Sequence, residues 1–221
     1  MASEYSIFVS VGSTSSDQQE AFVCAIEARL RAEGLVPHTV GRNTFSADAP
    51  LKAVSELMNQ CAGAVVIALE RSYFPSGFDK PGGPKQTPLT EVRLPTPWNQ
   101  IEAAMAYSRG LPLLVIVESG LRAEGLLERG YDWFVEEVAA QAQALNTVEF
   151  SGILANWKQK VVARASTTPA APAPAAPSAA EMSVGQIVGS LKPAQLWSLL
   201  ATLGALVAGA FGLGAKLFPH H

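Results

Sequence analysis

The sequence contains few of the residues that bind metals or form disulfide bridges. It has 2 cysteines and 3 histidines among 221 residues. Cys24 and Cys61 fall in apolar helical patterns and lack the spacing of metal ligands, so neither a zinc site nor a cysteine–histidine nucleophile is supported. We therefore expect no bound metal, and we expect both cysteines to lie in the core.

Charged residues are also sparse, and neither sign predominates strongly. They make up 16% of the chain, with a formal net charge of -3. This balance leaves no basic surface for nucleic acid, so DNA and RNA are not expected partners. Residues 1–5 lead into a strand-like run without the basic region and apolar stretch of a secretory signal. We therefore expect the folded part of the chain in the cytoplasm.

Residues 5 to 164 alternate strand-like and helix-like segments. Strands that alternate with helices form parallel sheets covered on both faces. The pattern thus predicts an α/β domain over residues 1–164, with a flavodoxin-like, doubly wound parallel sheet. The predicted strands are 5–11, 35–40, 64–69 and 113–117, and the predicted helices are 17–33, 51–61, 97–109, 132–138 and 150–161.

Two segments of different composition follow this domain. Residues 165–183 are rich in alanine and proline and predict a disordered linker. Residues 194–215, within a membrane-associated segment 184–221, carry no charge and as a helix would span about 33 Å, enough to cross a bilayer. Small residues along this span favour helix association, although glycine and alanine are also common in membrane helices. We expect a single-pass C-terminal anchor in the inner membrane, and a homo-oligomer.

A helix bounded by proline and glycine carries the strongest candidate for chemistry. Pro97 suits its first turn, and Gly110 and Pro112 end it before an apolar strand-like run. Glu102 lies in its first turns, where the helix dipole favours a carboxylate, and Trp98 comes one turn before it. Such a carboxylate can face a cleft at the sheet edge, so Glu102 is the candidate catalytic or ligand-binding acid. The alternative is an ordinary surface carboxylate in the first turns of a helix.

The segment 71–97 is unusually long for a connection and contains several prolines. A connection of this length is more often a lid or a binding loop, although a plain disordered insertion is the alternative. It follows the third predicted strand, and ligands of such sheets bind beyond the carboxyl ends of the strands. We therefore expect this loop beside the ligand site.

The loops at these strand ends supply the candidate ligand-binding residues. After the first strand, hydroxyl and N–H groups can cradle phosphate or ribose, or can form an ordinary helix cap. After the second strand, a basic and an amide side chain can meet a phosphate, or can lie in a solvated turn. Aromatic side chains further on can stack on nicotinamide or a nucleobase, or can pack the loop down. The candidates are Ser10, Gly12, Ser13, Thr14, Arg42, Asn43, Tyr73, Phe74, Trp98 and Asn99.

Several segments, in this order along the chain, resemble the TIR domain family. They are residues 5–10 of the first strand, the helix end at 30–35, and the run Trp-Asn-Gln-Ile-Glu at 98–102. The same helix is also similar to that of nucleoside 2-deoxyribosyltransferases. That second likeness is carried by Glu102, Ala106, Tyr107, Gly110 and Pro112. Both families share a flavodoxin-like sheet, and in both a glutamate acts at the ribose of a nucleoside or nucleotide.

The resemblance implies a specific activity. Glu102 would cleave the N-glycosidic bond of NAD or a related nucleotide, which is bound as a substrate and not as a cofactor. Bacterial TIR effectors further imply a defence role, and active sites completed between neighbouring copies. Two alternatives stay open: a non-catalytic module that senses a nucleotide and clusters the membrane helix, and a deoxyribosyltransferase that exchanges bases.

Overall fold

Strands and helices alternate along residues 4–167, the part of the chain that the computed structural model describes. The strands are β1 (Tyr5–Val11), β2 (Leu35–His38), β3 (Gly63–Ala68), β4 (Ser72–Asp79), β5 (Thr87–Leu94), β6 (Leu113–Glu118) and β7 (Phe134–Val138). The α-helices are α1 (Asp17–Ala32), α2 (Pro50–Met58), α3 (Pro97–Ser108) and α4 (Val148–Thr167). Short 3-10 helices lie at Gly125–Leu127 and Ala142–Asn146.

A five-stranded parallel sheet in the order β2-β1-β3-β6-β7 forms the centre. Counted within the sheet this is the order 2-1-3-4-5, one of the common doubly wound orders. Strand β3 is buried along its whole length, and β6 along all but its last residue, as expected for strands covered on both faces. The predicted α/β class with a parallel central sheet is confirmed.

Helices cover both faces of this sheet and enclose two separate apolar cores. On one face, α1 and α4 bury Phe22, Leu154 and Trp157 against the strands. On the other face, α2 and α3 bury Val54 and Ala103. The indole N–H of Trp157 also donates a hydrogen bond to the carbonyl of residue 112 at 3.0 Å, so a fully buried polar group is satisfied.

The segment 71–97 is not the irregular loop that its prolines predicted. It folds into an antiparallel hairpin of β4 and β5, with Ser72 opposite Leu94 and Asp79 opposite Thr87. A two-stranded ribbon has only edge strands, and an edge strand tolerates proline where the missing N–H would face outward. Proline content therefore did not exclude strands here.

The segment 132–138 is a strand where a helix was predicted. Strand β7 pairs with β6 in parallel, from Leu114 opposite Phe134 to Glu118 opposite Val138. Phe134 and Val138 pack against one core, whereas Val135 packs against the other. This alternation with a period of two is the signature of a strand, and aromatic and β-branched residues favour it.

Three further predictions concern the two cysteines, the start of the linker and the membrane span. Cys61 is buried, and desolvation raises the pKa of its thiol to about 12, whereas Cys24 is exposed and not in the core. Helix α4 continues through residues 165–167, which were assigned to the linker. Within residues 4–167 no helix is long and apolar enough to cross a bilayer. The predicted span 194–215 and the rest of the linker lie outside the described residues.

We predict that Gly63→Ala destabilises the fold by about 1–3 kcal/mol, because a methyl group at this position overpacks the core. An added Cβ would lie 2.7 Å from Cγ2 of Val161 and 3.2 Å from the Trp157 ring. Urea unfolding of the full chain, followed by tryptophan fluorescence, measures the loss. Gly77→Ala is the control, because no atom lies within 4 Å of its added Cβ. Truncation of Val161 to alanine should recover part of the loss, and strictly additive losses would contradict the contact.

Candidate active site

A cleft lies at the carboxyl edge of the sheet, where β1 and β3 end beside the start of α3. Its volume is about 430 Å³. This is the position at which doubly wound sheets bind ligands. The lining residues are Val11, Gly12, Ser13, Arg71, Thr96, Pro97, Trp98, Ile101 and Glu102.

The first turn of α3 forms one wall of the cleft. The buried Thr96 side chain caps the helix by accepting a hydrogen bond from the N–H of Trp98 at 3.4 Å, and Pro97 occupies the first helical position. Gly12 approaches this cap so closely that a Cβ would lie 3.0 Å from Cγ2 of Thr96. A side chain at position 12 would therefore push the β1 loop away from α3.

Glu102 lies on the cleft face of α3, four residues after Trp98 and therefore on the same side of the helix. The carboxylate is half-buried, and desolvation raises its pKa above the ordinary value of 4.5. A hydrogen bond from the Ser10 hydroxyl opposes this shift, because it stabilises the ionised form. Glu102 is thus a desolvated acid that still faces a space large enough for a ligand.

Behind Glu102, the buried Asn99 side chain fixes the Ser10 hydroxyl. The Nδ2 group of Asn99 donates to Oγ of Ser10 at 3.1 Å and to the carbonyl of Ile67 at 3.3 Å. A flipped amide would place its oxygen against the Ile67 carbonyl, so the donor orientation is determined. Because the Ser10 oxygen already accepts from Asn99, the Ser10 hydrogen is available for Glu102. Asn99 therefore orients the hydroxyl that lowers the pKa of Glu102.

A second buried amide holds the rim of the cleft together. Gln19 of α1 donates to the backbone carbonyl of Glu70 at 3.0 Å and accepts from the N–H of Ser15 at 2.8 Å. The Glu118 carboxylate at the end of β6 accepts from the Glu70 N–H at 2.7 Å. These bonds connect the loop after β1 to the ends of β3 and β6 and hold this loop at the cleft.

The structure brings part of the predicted ligand set to the cleft. Gly12, Ser13 and Trp98 line it together with Glu102. Ser10 and Asn99 are buried behind Glu102 and support it. These residues come from β1 and α3, which are neighbours in space because α3 packs against β1 and β3.

Two candidate ligand-binding residues near α1, Arg42 and Thr14, contact Glu20. Nη2 of Arg42 lies 2.6 Å from Oε1 of Glu20, and the Thr14 hydroxyl donates to the same carboxylate at 2.8 Å. These two bonds hold the pKa of Glu20 down to about 2. Arg42 forms an ion pair with Glu20, Thr14 donates a hydrogen bond to the same carboxylate, and neither residue is among those that line the cleft. Their contact with a phosphate stays a prediction.

Three other candidates lie away from Glu102. Asn43 closes a turn, because its side chain accepts from the N–H of Thr39 at 2.7 Å and donates to the carbonyl of residue 37. Tyr73 and Phe74 lie on β4, about half exposed. Phe74 lines a different cleft, of about 390 Å³, with Phe78 and other hairpin residues. No stacking role beside Glu102 follows for these two rings.

Sequence reasoning missed Arg71, Thr96 and Ile101 as lining residues. Arg71 comes three residues after β3, so the rule that ligands bind at strand ends was a signal that could have found it. Thr96 directly before a helical proline is a recognisable cap. Among residues 4–167, no group of three His, Cys, Asp or Glu side chains could hold a metal ion.

Comparisons with known proteins give matches in structure only. No family model and no curated protein matches the chain. A CMP N-glycosidase of Clostridium botulinum is 13% identical, with a TM-score of 0.41 over 68% of this chain and 98% of that one. The TIR domains of the activated Roq1 resistosome are 12% identical, with a TM-score of 0.33 over 75% of this chain and 86% of that one. A conserved protein from Enterococcus faecalis V583 is 12% identical, with a TM-score of 0.33 over 74% and 99%.

We predict that Glu102→Gln raises the melting temperature of the full chain near neutral pH. Burial raises the pKa of Glu102 in the folded state, so folding is favoured below the ordinary value of 4.5 and this gain is lost as the pH rises through the raised pKa. Neutral glutamine avoids the cost of a desolvated charge. The difference between variant and wild type should shrink as the pH falls toward 4.5.

Thermal unfolding over a range of pH measures this difference. Glu56→Gln replaces an exposed carboxylate of α2 and serves as the matched control, with little expected change. A Glu102→Gln chain that melts below wild type near neutral pH would show that the ionised carboxylate stabilises the fold, contrary to this account.

Proposed function

We propose that the cleft cleaves the N-glycosidic bond of NAD or a related nucleotide, with the Glu102 carboxylate acting at the ribose. The observation that carries the proposal is a desolvated carboxylate that faces an open cleft and is held from behind by Ser10 and Asn99. Acids whose pKa is raised by burial, in a cleft at the carboxyl edge of a doubly wound sheet, are candidates for functional sites.

The reaction needs one well-placed negative charge. Departure of nicotinamide leaves positive charge on the ribose, and a carboxylate can stabilise that oxocarbenium-like state or attack C1′ directly. In the second case a C–O bond forms as the C–N bond breaks, and the bonding electron pair leaves with neutral nicotinamide. Water then attacks C1′, which frees the carboxylate and yields ADP-ribose and a proton. No metal or histidine takes part in either route.

The surroundings of Glu102 favour this role. Its partial burial strengthens the attraction between the carboxylate and a developing cation, because fewer water molecules screen it. Asn99 holds the Ser10 hydroxyl, which favours the ionised form of Glu102, so this part of the polar environment is in place before the substrate arrives. Trp98, 41% exposed at the same wall, offers a ring face for the departing base.

We predict that Glu102→Gln lowers NAD turnover by at least about 100-fold, because glutamine offers no negative charge to the ribose. The full chain in detergent is incubated with NAD, and nicotinamide release is followed by chromatography. Glu56→Gln is the control and should cleave NAD at the wild-type rate.

Two outcomes would contradict the proposal. Unchanged turnover in Glu102→Gln would remove this residue from the mechanism. Wild-type chain that binds NAD and leaves it intact would favour the alternative of a module that senses the nucleotide. In that case the predicted membrane segment 194–215 would carry the response.

We predict that the acidic limb of the pH profile for kcat/KM lies above 4.5, the ordinary glutamate value, because the ionised form of Glu102 is required. Ser10→Ala removes the hydrogen bond that lowers the Glu102 pKa, so the limb should move to higher pH. Ser13→Ala, which removes a hydroxyl from the cleft wall, is the control whose limb should stay in place. If the acidic limb of Ser10→Ala stays at the wild-type pH, the Ser10 hydroxyl does not lower the pKa of Glu102.

A further inference from the structure

Arg71 occupies the cleft wall opposite α3 and is held there by its backbone. Its N–H donates to the carbonyl of Leu94 at 2.9 Å, so the residue is fixed to the base of the hairpin just beyond β3. Its side chain lines the same cleft as Glu102 and is the only basic side chain among the lining residues described. The backbone from which this cation extends is therefore set by the fold.

The guanidinium of Arg71 has no protein partner in residues 4–167. No carboxylate in this part of the chain lies within 4.0 Å of it. The adjacent Glu70 pairs with Arg93 at 3.5 Å. Every other arginine in the same range forms an ion pair or donates its guanidinium to an oxygen. Arg71 is thus an exposed cation, without a protein partner among the described residues, at the wall of a ligand-sized cleft.

Two groups that favour negative charge lie beside Arg71 in the cleft. Arg71 shares the cleft with the exposed hydroxyl of Ser13 and with the N-terminal turn of α3, whose dipole also favours negative charge. The same three features line a smaller recess that reaches the buried Asn99. The Oδ1 atom of Asn99 has no hydrogen-bond partner among the described residues and, as an acceptor, would meet a donor group of a ligand and not its phosphate. Glu102 is the only acid that lines the cleft, and no ion pair joins it to Arg71. The cleft therefore presents a carboxylate and a separate cation.

We propose that Arg71, with Ser13, binds a phosphate group of the ligand, so that the cleft accepts nucleotides and discriminates against free nucleosides. The planar guanidinium donates two parallel N–H groups to phosphate oxygens, a geometry that lysine cannot reproduce. Placing the ribose at Glu102 rests on the proposed function. The assignment of Arg71 to an anionic group rests only on its unpaired position in the cleft.

The test compares two ligands that differ by a single phosphate: nicotinamide mononucleotide and nicotinamide riboside. Binding to the full chain in detergent is measured by calorimetry, in a Glu102→Gln background that removes the proposed nucleophile. The mononucleotide should bind roughly 10-fold to 100-fold more tightly than the riboside. Arg71→Met should abolish that preference by weakening the mononucleotide alone, and Arg71→Lys should restore part of it.

The controls separate this inference from the proposed function. Arg31→Met removes an arginine of α1 that does not line the cleft and should leave both affinities unchanged. Because Arg71 has no side-chain partner, its substitution should not change the melting temperature. Equal affinity for the two ligands, or no binding of the mononucleotide, would overturn the inference. Binding that depends on Arg71, in a wild-type chain that leaves NAD intact, would overturn the proposed function and support the phosphate site.

Discussion

The hydrogen bonds of one buried amide join the three elements on which the candidate site depends. Asn99 connects α3 to the Ser10 hydroxyl of β1 and to the Ile67 carbonyl of β3. The Nδ2 donor of this amide has to be satisfied, because an unpaired donor in the core costs about 1–3 kcal/mol. Satisfying it fixes the rotation of α3, and that rotation directs Glu102 into the cleft. Helix packing and the placement of the acid therefore have the same cause.

Glu102 and Arg71 in the cleft form no ion pair, unlike several other charged residues in the described part of the chain. Glu20 and Arg42 neutralise each other beside α1, and Glu70 is paired with Arg93. In the cleft, by contrast, Glu102 is desolvated without a cationic partner and Arg71 has no anion. A ligand with a developing positive charge and a phosphate would satisfy both groups at once, which is the physical basis of the proposed function.

The sequence predicted best where one physical signal was strong. The nearly continuous apolar runs of β3 and β6 identified buried parallel strands, and proline and glycine bounded α3. Strand β7 was missed because the acidic residues Glu136, which is buried, and Glu137 interrupt its apolar pattern. The candidate site was also predicted only in part. Position in the chain indicated Glu102, but it could not show that Arg42 would pair with Glu20, 22 residues away, and leave Arg71 to the cleft.

A crystal structure of the Glu102→Gln chain with NAD would show directly whether a ribose binds at residue 102 in this cleft. The account predicts C1′ of the nicotinamide ribose about 3.5 Å from the side chain of residue 102, with the diphosphate beside Arg71. A ligand seated against Phe74 and Phe78 on the hairpin, or in the cleft with its ribose turned away from residue 102, would contradict the account.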